Sequence, residues 1–516
     1  MPSVAPSPDI NAMLPSELLF LIFKLLRHQD LKQAVAVCRR WKGVGEAQHL
    51  WTWVQPRITQ KNIKIAKDLL GCKRMQGVSK IMIAAISEDV LDGVARHQGL
   101  RSASISCGLL SLHERRLLVM LVGKLENVEL MLAKDEVSNV LGEILSTTSS
   151  ALKTLDLSGN NLKQLGEGLL GLAVATLEEL KLQRTELTTK QLREILASVV
   201  SAGSRCKMKR LGLSENNFSG VEASLMEIFH NVEEVELENT SLTGQQLAVI
   251  LSCLAVSSKT KKLNLNQNCL SSIEPALVAR LTMLEEARLA DCQLSPQQLG
   301  ALLQGTGGGC LRKVDISGHS FKTIEVASLS FGRAAGHLEE LRASRCQFSQ
   351  ESLEAIFDKI VGGCRLKKLD LSHVSLTSVN SGLLAKMARL LVELLVPHTF
   401  LTSIQVEEIF EAIKGQDSRL RVLHISCNRL SSVEPETLSS AVARLYEVRM
   451  ERCSLSSPQV HLNNYGSVKQ KASGQVQALL NAAAQSSSLV SLHMGQEKFF
   501  DRNLVQKARR NVRDLF

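Results

Sequence analysis

The sequence lacks any uninterrupted apolar run of the roughly 18 residues that a membrane-spanning helix needs. Its first residues, MPSVAPSPDIN, have neither the basic stretch nor the apolar core of a secretory signal peptide. With 44% hydrophobic and 22% charged residues, the composition is typical of a soluble globular protein. These absences weigh against a membrane partner and against a secreted protein.

The motifs of common enzyme classes are also missing. The sequence contains no Walker loop, no GxSxG, no HExxH and no CxxC pair. The glycine-rich run at 305–309 follows a predicted helix and precedes a predicted strand, which is the reverse of the order in a phosphate-binding loop. The cysteines and histidines lack metal-ligand spacing. We therefore expect no catalytic residues, no metal and no cofactor.

The 12 cysteines are scattered through the chain instead of being concentrated in a small disulfide scaffold. Many of them occupy apolar or repeat-equivalent positions, which favours reduced thiols and a cytoplasmic or nuclear location. The net charge of +10 is modest for 516 residues, so it permits binding to nucleic acid without arguing for it.

What the sequence does contain, over most of its length, is a repeat. The pattern Leu-x-x-Leu-x-Leu-x-x-Asn-x-Leu is clearest at 152–162, LKTLDLSGNNL, and it recurs as far as 445–455. Degenerate copies begin near Val78, Leu100, Leu125 and Leu489. The pattern predicts about sixteen leucine-rich repeats, each a short strand followed by a helix. Because one repeat alone cannot bury its leucines, the repeats are expected to stack and form a continuous core.

The repeats alternate in kind. The asparagine position carries Asn160, Asn216, Asn268 or Asn428 in one member of a pair, and Thr185, Thr240, Cys292, Cys346, Thr399 or Cys453 in the other. His319 and Val374 depart from this rule. This alternation resembles the ribonuclease-inhibitor type of leucine-rich repeat, in which such residues are structural. Ser295 followed by Pro296 also predicts a helix N-cap.

Charged residues alternate in sign along the predicted strands. Immediately before the first strand leucine, successive repeats carry Arg210, Glu234, Lys262, Glu286, Lys313, Glu340, Lys368 and Glu393. Two residues later the signs are inverted, at Arg288, Asp315, Arg342 and Asp370. On adjacent parallel strands such charges pair, each exposed pair contributing about 0–1 kcal/mol. A face that cancels its own charge makes nucleic acid a poor candidate partner.

The alternation fails near the C-terminal end of the repeats, where the sequence offers apolar and aromatic residues instead. This chain has only two tyrosines, so an aromatic residue on the strand face is informative. Apolar groups on a charged face are typical of an interaction hot spot. The candidate substrate-binding residues are Val392, Leu395, Pro397, His398, Val422, His424 and Tyr446. Alternatively, another segment of the chain, such as the insert near 460–475, covers this surface.

The segment before the repeats, LPSELLFLIFKLLRHQDLKQAVAVCRRWKGVGEAQHLW, is too apolar for an isolated unit of about forty residues. Its first helix is apolar around most of its circumference, which predicts burial on several sides. Asp30 is a predicted N-cap for a second helix. The Leu-Pro opening, the Cys-x-x-Trp at Cys38 and the closing Leu50-Trp51 follow in this order.

This segment resembles the F-box, and the whole chain resembles the F-box/leucine-rich-repeat proteins. The resemblance implies an α/β fold class: a small all-α N-terminal F-box followed by a leucine-rich-repeat solenoid (horseshoe) with a concave parallel sheet. The predicted domains are a disordered N-terminus at 1–12, an F-box at 13–52, a helical linker at 53–77, about sixteen repeats at 78–497 with an insert near 460–475, and a C-terminal cap helix at 498–516.

The resemblance also implies a function without bond chemistry. The F-box is expected to dock on the Skp adaptor, and through it on a cullin, while the repeats hold an unknown target protein for ubiquitination. The alternative is a repeat scaffold or inhibitor that sequesters a partner outside any ligase. The residues expected to bind the adaptor are Leu14, Pro15, Leu18, Ile22, Leu26, Leu31, Val35, Cys38, Trp41 and Trp51.

Overall fold

The structure, a computed structural model, describes residues 14–24, 26, 28–47, 50, 55–71, 73–146, 151–202, 206–254, 258–304, 310–322, 337–363, 365–453, 455, 460–462, 468–470, 474–494, 505, 506, 508, 512, 514 and 515. The predicted disordered N-terminus at 1–12 and the predicted docking residue Trp51 lie outside these residues. The chain divides into two compact units, 1–221 and 222–516, which are described in turn.

The first unit begins with three helices, α1 (Ser16–Lys24), α2 (His28–Val37) and α3 (Arg39–Gly45). Helix α2 begins before Asp30, so the predicted N-cap at Asp30 is wrong and this residue lies inside the first helical turn. The helices enclose a small apolar core with Phe23 at its centre, 1% exposed, and with Trp41 packed edge-on against it at 5.3 Å between ring centroids. The other buried members are Leu19, Leu31, Ala34 and Leu50.

This small core also includes a residue of the first repeat. Val78 is buried in the same cluster, and Met75 packs against it. The predicted linker at 53–77 therefore contributes to the core instead of hanging free. It contains a short strand, β1 (Arg57–Ile58), as well as helix α4 (Ile63–Gly71) and the 3₁₀ segment Lys73–Gly77.

The rest of the first unit alternates strands with helices. Strands β1 to β7 pair in chain order, and every pair is parallel. The strands are β2 (Lys80–Ile83), β3 (Ser102–Cys107), β4 (Asn127–Leu132), β5 (Thr154–Asp156), β6 (Glu179–Lys181) and β7 (Arg210–Gly212). The helices are α5 (Glu88–Ala95), α6 (Leu112–Val122), α7 (Val137–Ser146), α8 (Leu169–Thr176) and α9 (Thr189–Ala202).

The second unit continues the same design, with parallel pairing in chain order along its main sheet. The strands of this sheet are β8 (Glu234–Glu236), β9 (Lys262–Asn264), β10 (Glu286–Arg288), β11 (Lys313–Asp315), β13 (Glu340–Arg342), β15 (Lys368–Asp370), β16 (Glu393–Leu395), β17 (Val422–His424), β18 (Glu447–Arg449), β21 (Ser491–His493) and β22 (Asp514–Leu515). A short separate sheet joins β12 (Ser320–Phe321) to β14 (Gln347–Phe348).

The helical segments of the second unit are 3₁₀ at Ala223–Asn231 and Ala279–Met283, and α-helical elsewhere. The α-helices are α10 (Gly244–Ser252), α11 (Pro275–Val278), α12 (Pro296–Gln304), α13 (Gln350–Val361), α14 (Ser381–Leu390), α15 (Ser403–Lys414), α16 (Pro435–Val442) and α17 (Gly474–Gln485). The predicted leucine-rich-repeat solenoid with a parallel sheet is thus confirmed.

A buried asparagine fastens each repeat of one kind to the repeat before it. The amide nitrogen of Asn268 donates to the carbonyls of Leu237 at 2.7 Å and Leu265 at 3.0 Å. Its side-chain oxygen accepts from the amides of Thr240 and Leu242. Because these backbone groups lie away from water, leaving them unpaired would cost about 1–3 kcal/mol each. The same role is played by Asn160, Asn216 and Asn428.

His319, which departs from the asparagine pattern, nevertheless performs a similar task. Its Nε2 accepts from the backbone amide of Cys292 at 3.1 Å, so Nδ1 carries the proton that is donated to the carbonyl of Ile316 at 2.8 Å. The ring is buried and stacks on Phe321. This arrangement requires a neutral imidazole, since a proton on Nε2 would remove the acceptor. Burial lowers the pKa of His319 accordingly.

A second set of hydrogen bonds between neighbouring repeats lies at the start of the repeat helices. As predicted, the Ser295 hydroxyl caps α12 by accepting from the amide of Gln298 at 3.2 Å, and the Gln298 side chain accepts from the Ser295 amide at 2.7 Å. The same glutamine donates to the carbonyls of Leu270 and Ile273 in the preceding repeat. One side chain therefore starts its own helix and holds its neighbour.

The last part of the chain is described only in places. Within the predicted insert near 460–475, β19 (Val460–Leu462) and β20 (Val468–Gln470) form an antiparallel pair. In the region of the predicted cap helix at 498–516, Val505, Gln506 and Ala508 are helical. The chain then ends differently from that prediction, since β22 pairs with β21 and extends the sheet. None of the described helices is long and apolar enough to cross a membrane.

Truncating Phe23 is expected to loosen the three-helix core and its junction with the first repeat. Phe23→Ala removes a fully buried ring, a change that typically costs about 3–5 kcal/mol. Ile22→Ala, a neighbouring substitution at a 44% exposed position, should cost far less, about 0.5 kcal/mol. Hydrogen exchange of the α1–α3 amides measures both effects. Equal protection in the two variants would contradict the assignment of Phe23 to the core.

Replacing His319 by asparagine is expected to reduce the dependence of stability on pH. The pKa of His319 is lowered in the folded state, so its stabilising contribution is full above the ordinary value of 6.5 and is lost as the pH falls through the folded-state pKa. Asparagine makes comparable hydrogen bonds elsewhere in the chain and does not titrate. Denaturant midpoints at about pH 7.5 and about pH 5.5 should therefore differ less in His319→Asn than in wild type.

The matched control for this experiment is His113→Asn, since His113 is exposed on α6. Its midpoints should shift with pH as those of wild type do. If the denaturant midpoints of His319→Asn and wild type shift equally with pH, the buried histidine does not contribute to the pH dependence of stability.

Candidate protein-docking sites

The first candidate site is an uncovered apolar face on α1. While Leu19 and Phe23 point into the core, Leu18, Leu21 and Ile22 are 48%, 55% and 44% exposed. Their spacing places them side by side on one face of the helix. A groove beside this face is lined by Ser16, Glu17, Phe20, Leu21, Val44 and Ala47. The prediction from the sequence missed Leu21, although its spacing from Leu18 could have identified it.

The Cys-Arg-Arg-Trp motif organises the neighbouring helix. The Cys38 thiol caps α3 by accepting from the amide of Trp41 at 3.4 Å, and Trp41 packs on Phe23. The Arg40 guanidinium donates to the carbonyl of Leu14, which ties the Leu-Pro opening to α3. The motif therefore holds the apolar face of α1 in position.

The structure divides the predicted adaptor-binding residues into three groups. Pro15, Leu18 and Ile22 are exposed, and a direct contact with a partner remains a prediction for them. Four residues are half-buried: Leu14, Leu26, Cys38 and Trp41. Leu31 and Val35, by contrast, are buried, at 0% and 5% exposed, so they differ from the prediction of a docking contact and support the surface from beneath.

The second candidate site lies on the strand face, defined as the side of the sheet that carries the exposed residues between the buried strand leucines. The predicted row immediately before the first strand leucine, here called the middle row, is in register: Lys262 lies opposite Glu286, and Lys313 opposite Glu340. Charges in this row pair across strands, with Lys262 at 2.7 Å from Glu234 and Lys368 at 2.7 Å from Glu393.

The inner row, two residues later, is also in register but pairs differently. Arg288 lies opposite Asp315, and Arg342 lies opposite Asp370. Arg288 nevertheless forms its shorter ion pair along its own strand, with Glu286 at 2.7 Å, and Arg342 pairs in the same way with Glu340 at 2.8 Å. The cross-strand ladder that was predicted for this row is therefore partly replaced by contacts between rows.

An outer row, one residue before the middle row, was not recognised in the sequence. It also alternates in sign, and Lys153 pairs with Glu126 at 2.8 Å while Lys367 pairs with Glu339 at 2.7 Å. Hydrogen bonds from lysines lower the pKa values of Glu126 and Glu339. These acids are half-buried but their lysine partners are exposed, so each pair contributes little to stability, while together the pairs neutralise the face.

The alternation ends at β16–β18, where the predicted substrate-binding residues meet. Leu395 lies opposite His424, and Val422 lies between Glu393 and Glu447. Val392 and Tyr446 are exposed, and Leu395, Val422 and His424 are half-buried. Burial, followed by the nearby charge of Arg449, lowers the pKa of His424, which favours its neutral form. We call Val392, Leu395, Val422, His424 and Tyr446 the apolar patch.

Two of the predicted substrate-binding residues lie outside this patch. Pro397 is buried, in contrast to the predicted exposure, because the residue after the second strand leucine turns inward, as Ser426 also does in the next repeat. His398 is exposed, but in a turn with a positive φ of 55°, where it stacks on His373 at 4.5 Å between ring centroids. The insert near 460–475, which was the alternative cover for this surface, lies mostly outside the described residues.

The described residues offer little for chemistry. No group of three or more His, Cys, Asp or Glu among them is arranged to hold a metal ion. Burial raises the pKa values of Cys107, Cys292 and Cys346 to about 12, so these thiols are poor nucleophiles. The arrangement is suited to binding other macromolecules through two separate surfaces.

Comparisons with known proteins agree with this description. Residues 12–55 match the F-box-like family, and residues 151–172 and 419–441 match the Leucine Rich Repeat family. A search of curated proteins gives no match. Among solved structures, the leucine-rich repeat-containing protein LegL7 from Legionella pneumophila is 18% identical over 51% of this chain and 88% of that chain, with a TM-score of 0.37. That structural similarity carries no argument about function.

The two matched families confirm the resemblance noted in the sequence: an F-box-like domain precedes leucine-rich repeats, which is consistent with an F-box/leucine-rich-repeat protein.

Proposed function

We propose that this chain is the substrate-recognition subunit of a Skp–cullin–F-box type ubiquitin ligase. In this proposal the F-box-like domain docks on the Skp adaptor, and through it on a cullin, while the repeats hold a target protein. The observation that carries the docking step is the apolar face of α1, where Leu18, Leu21 and Ile22 stand exposed on an F-box-like domain.

The energetic argument is simple. Full burial of one aliphatic side chain of this size stabilises a complex by about 1.5–3 kcal/mol. The three side chains on α1 are already about half-buried, so a partner that covers them would add roughly half of this energy for each. The helix cannot turn its apolar face inward instead, because Leu19 and Phe23 already fill the core on the other side.

The proposed contribution to ubiquitination is positional. F-box and leucine-rich-repeat domains are typically adaptor and recognition modules, and in this proposal the chain forms and breaks no bond. It raises the rate by keeping target lysines near the charged conjugating enzyme. Such a receptor would act in the cytoplasm or the nucleus, where its free thiols remain reduced.

Two charged residues on the apolar face should weaken docking. A Leu18→Asp/Leu21→Asp variant is expected to lose at least about tenfold in affinity for a purified Skp adaptor, because two carboxylates would have to be desolvated in the interface. Surface plasmon resonance with the intact chain measures the affinity, and circular dichroism checks that the fold is retained.

The matched control is Leu109→Asp/Leu112→Asp, which places two charges at residues 76% and 74% exposed in the repeats. It should bind the adaptor as wild type does. If wild type fails to bind, or if the α1 variant binds unchanged, the ligase proposal falls and a repeat scaffold that sequesters its partner becomes the better description.

A further inference from the structure

The outer row of the strand face contains one basic residue that differs from all the others described. The other bases of this row have carboxylate partners in neighbouring repeats, including Lys261 with Glu233 at 3.7 Å and Arg312 with Glu339 at 4.0 Å. The remaining pairs are Arg101–Glu126, Lys153–Glu126, Lys209–Glu178 and Lys367–Glu339. Pairing is therefore the rule in this row.

Arg421 is the exception. Among the described residues, no carboxylate lies within 4.0 Å of its guanidinium, and the side chain is exposed. Its one direct hydrogen bond is a long one, from Nη1 to the carbonyl of Arg444 at 3.4 Å. Most of its donors therefore point to solvent.

The reason lies in its neighbours. The backbone amide of Tyr446 donates to the carbonyl of Arg421 at 2.7 Å, and the amide of Arg421 donates to the carbonyl of Val392 at 2.8 Å. Val392 and Tyr446 are thus the flanking members of the outer row, at the positions where the alternating pattern would place acids. The row replaces two acids by apolar residues and keeps the base between them.

We propose that Arg421 recognises a carboxylate of the target protein, carried by an Asp or Glu side chain with apolar neighbours. The apolar neighbours would cover Val392 and Tyr446, and the carboxylate would take the place of the absent acids. Removing water around the pair would strengthen its charge-assisted hydrogen bonds. This inference rests on the proposed function only in assuming that the strand face binds the target.

The surrounding charges favour a carboxylate over a phosphate. Glu393 and Glu447 follow directly after Val392 and Tyr446 in the chain, and each is already paired, with Lys368 and Arg449 respectively, at 2.7 Å. Among the described residues of the outer row, Arg421 is therefore the cation between them that has no ion pair. A group with a single negative charge matches one free guanidinium, whereas a phosphate carries nearly two charges and would be repelled by both glutamates.

The test uses short degenerate peptide pools that share leucines around a central fixed residue, which is Glu, Gln, Lys or phosphoserine. The intact immobilised chain is expected to retain the Glu pool about tenfold better than the Gln pool, the factor expected for one charge-assisted contact. Arg421→Gln should remove this preference, and Arg421→Glu should transfer it to the Lys pool. Added salt should weaken it.

Arg312→Gln is the matched control, since it removes an exposed base of the same row that already has an acidic partner. It should keep the preference for Glu. Equal retention of the Glu and Gln pools by wild type, an unchanged preference in Arg421→Gln, or stronger retention of the phosphoserine pool would overturn the proposal.

Adaptor binding by the same variants separates this inference from the ligase proposal. Arg421→Gln is expected to bind the Skp adaptor as wild type does. If wild type does not bind the adaptor, only the ligase proposal is contradicted. The peptide results test only the role of Arg421.

Discussion

Parallel hydrogen bonding between neighbouring repeats is the interaction on which the other features depend. Strands of only three residues cannot hold their register by backbone bonds alone, and a slip by one residue would turn every strand leucine towards water. Buried side chains prevent this slip. Asn268 contacts backbone groups on both sides of a repeat junction, and Gln298 does the same at the helix end. The positions of all exposed side chains follow from that register.

The register also determines the electrostatics of the strand face. Because opposite charges alternate along most of the strand face, an approaching polyanion or polycation finds no large field of one sign there. In the proposed function, recognition is therefore expected where the alternation stops, since paired charges would have to be separated elsewhere. The apolar patch and Arg421 lie at that place.

Much of this organisation could be predicted from the sequence, because the repeat fixes which residues share a row. The register of Lys262, Glu286 and Lys313 followed directly from aligned repeats. Burial at the ends of strands did not, so Pro397 was expected to face a partner. In the F-box-like domain, the sequence predicted that α1 is apolar around most of its circumference, but only packing distinguished Leu19 and Phe23 inside from Leu21 outside. On α2, only packing showed that Leu31 and Val35 are buried.

The role of Arg421 was missed for a related reason. A basic residue in a row of alternating charges looks ordinary in the sequence, since the neighbours that define it lie a whole repeat away on either side. Arg421 differs from the other bases of the row because it has no carboxylate partner among the described residues. This difference is recognised only when the strands are aligned and the ion pairs of the row are compared.

Shared burial at the junction has a mechanical consequence for the proposed function. Val78 belongs to the first repeat and lies in the same core as Phe23, so the F-box-like domain cannot rotate freely about the linker without exposing apolar surface. A docking face fixed to the first repeats suits a subunit whose contribution is position, because proximity raises a rate only when the bound groups are held in orientation. The small core of α1–α3 is therefore both a structural support for the docking face and its connection to the repeats.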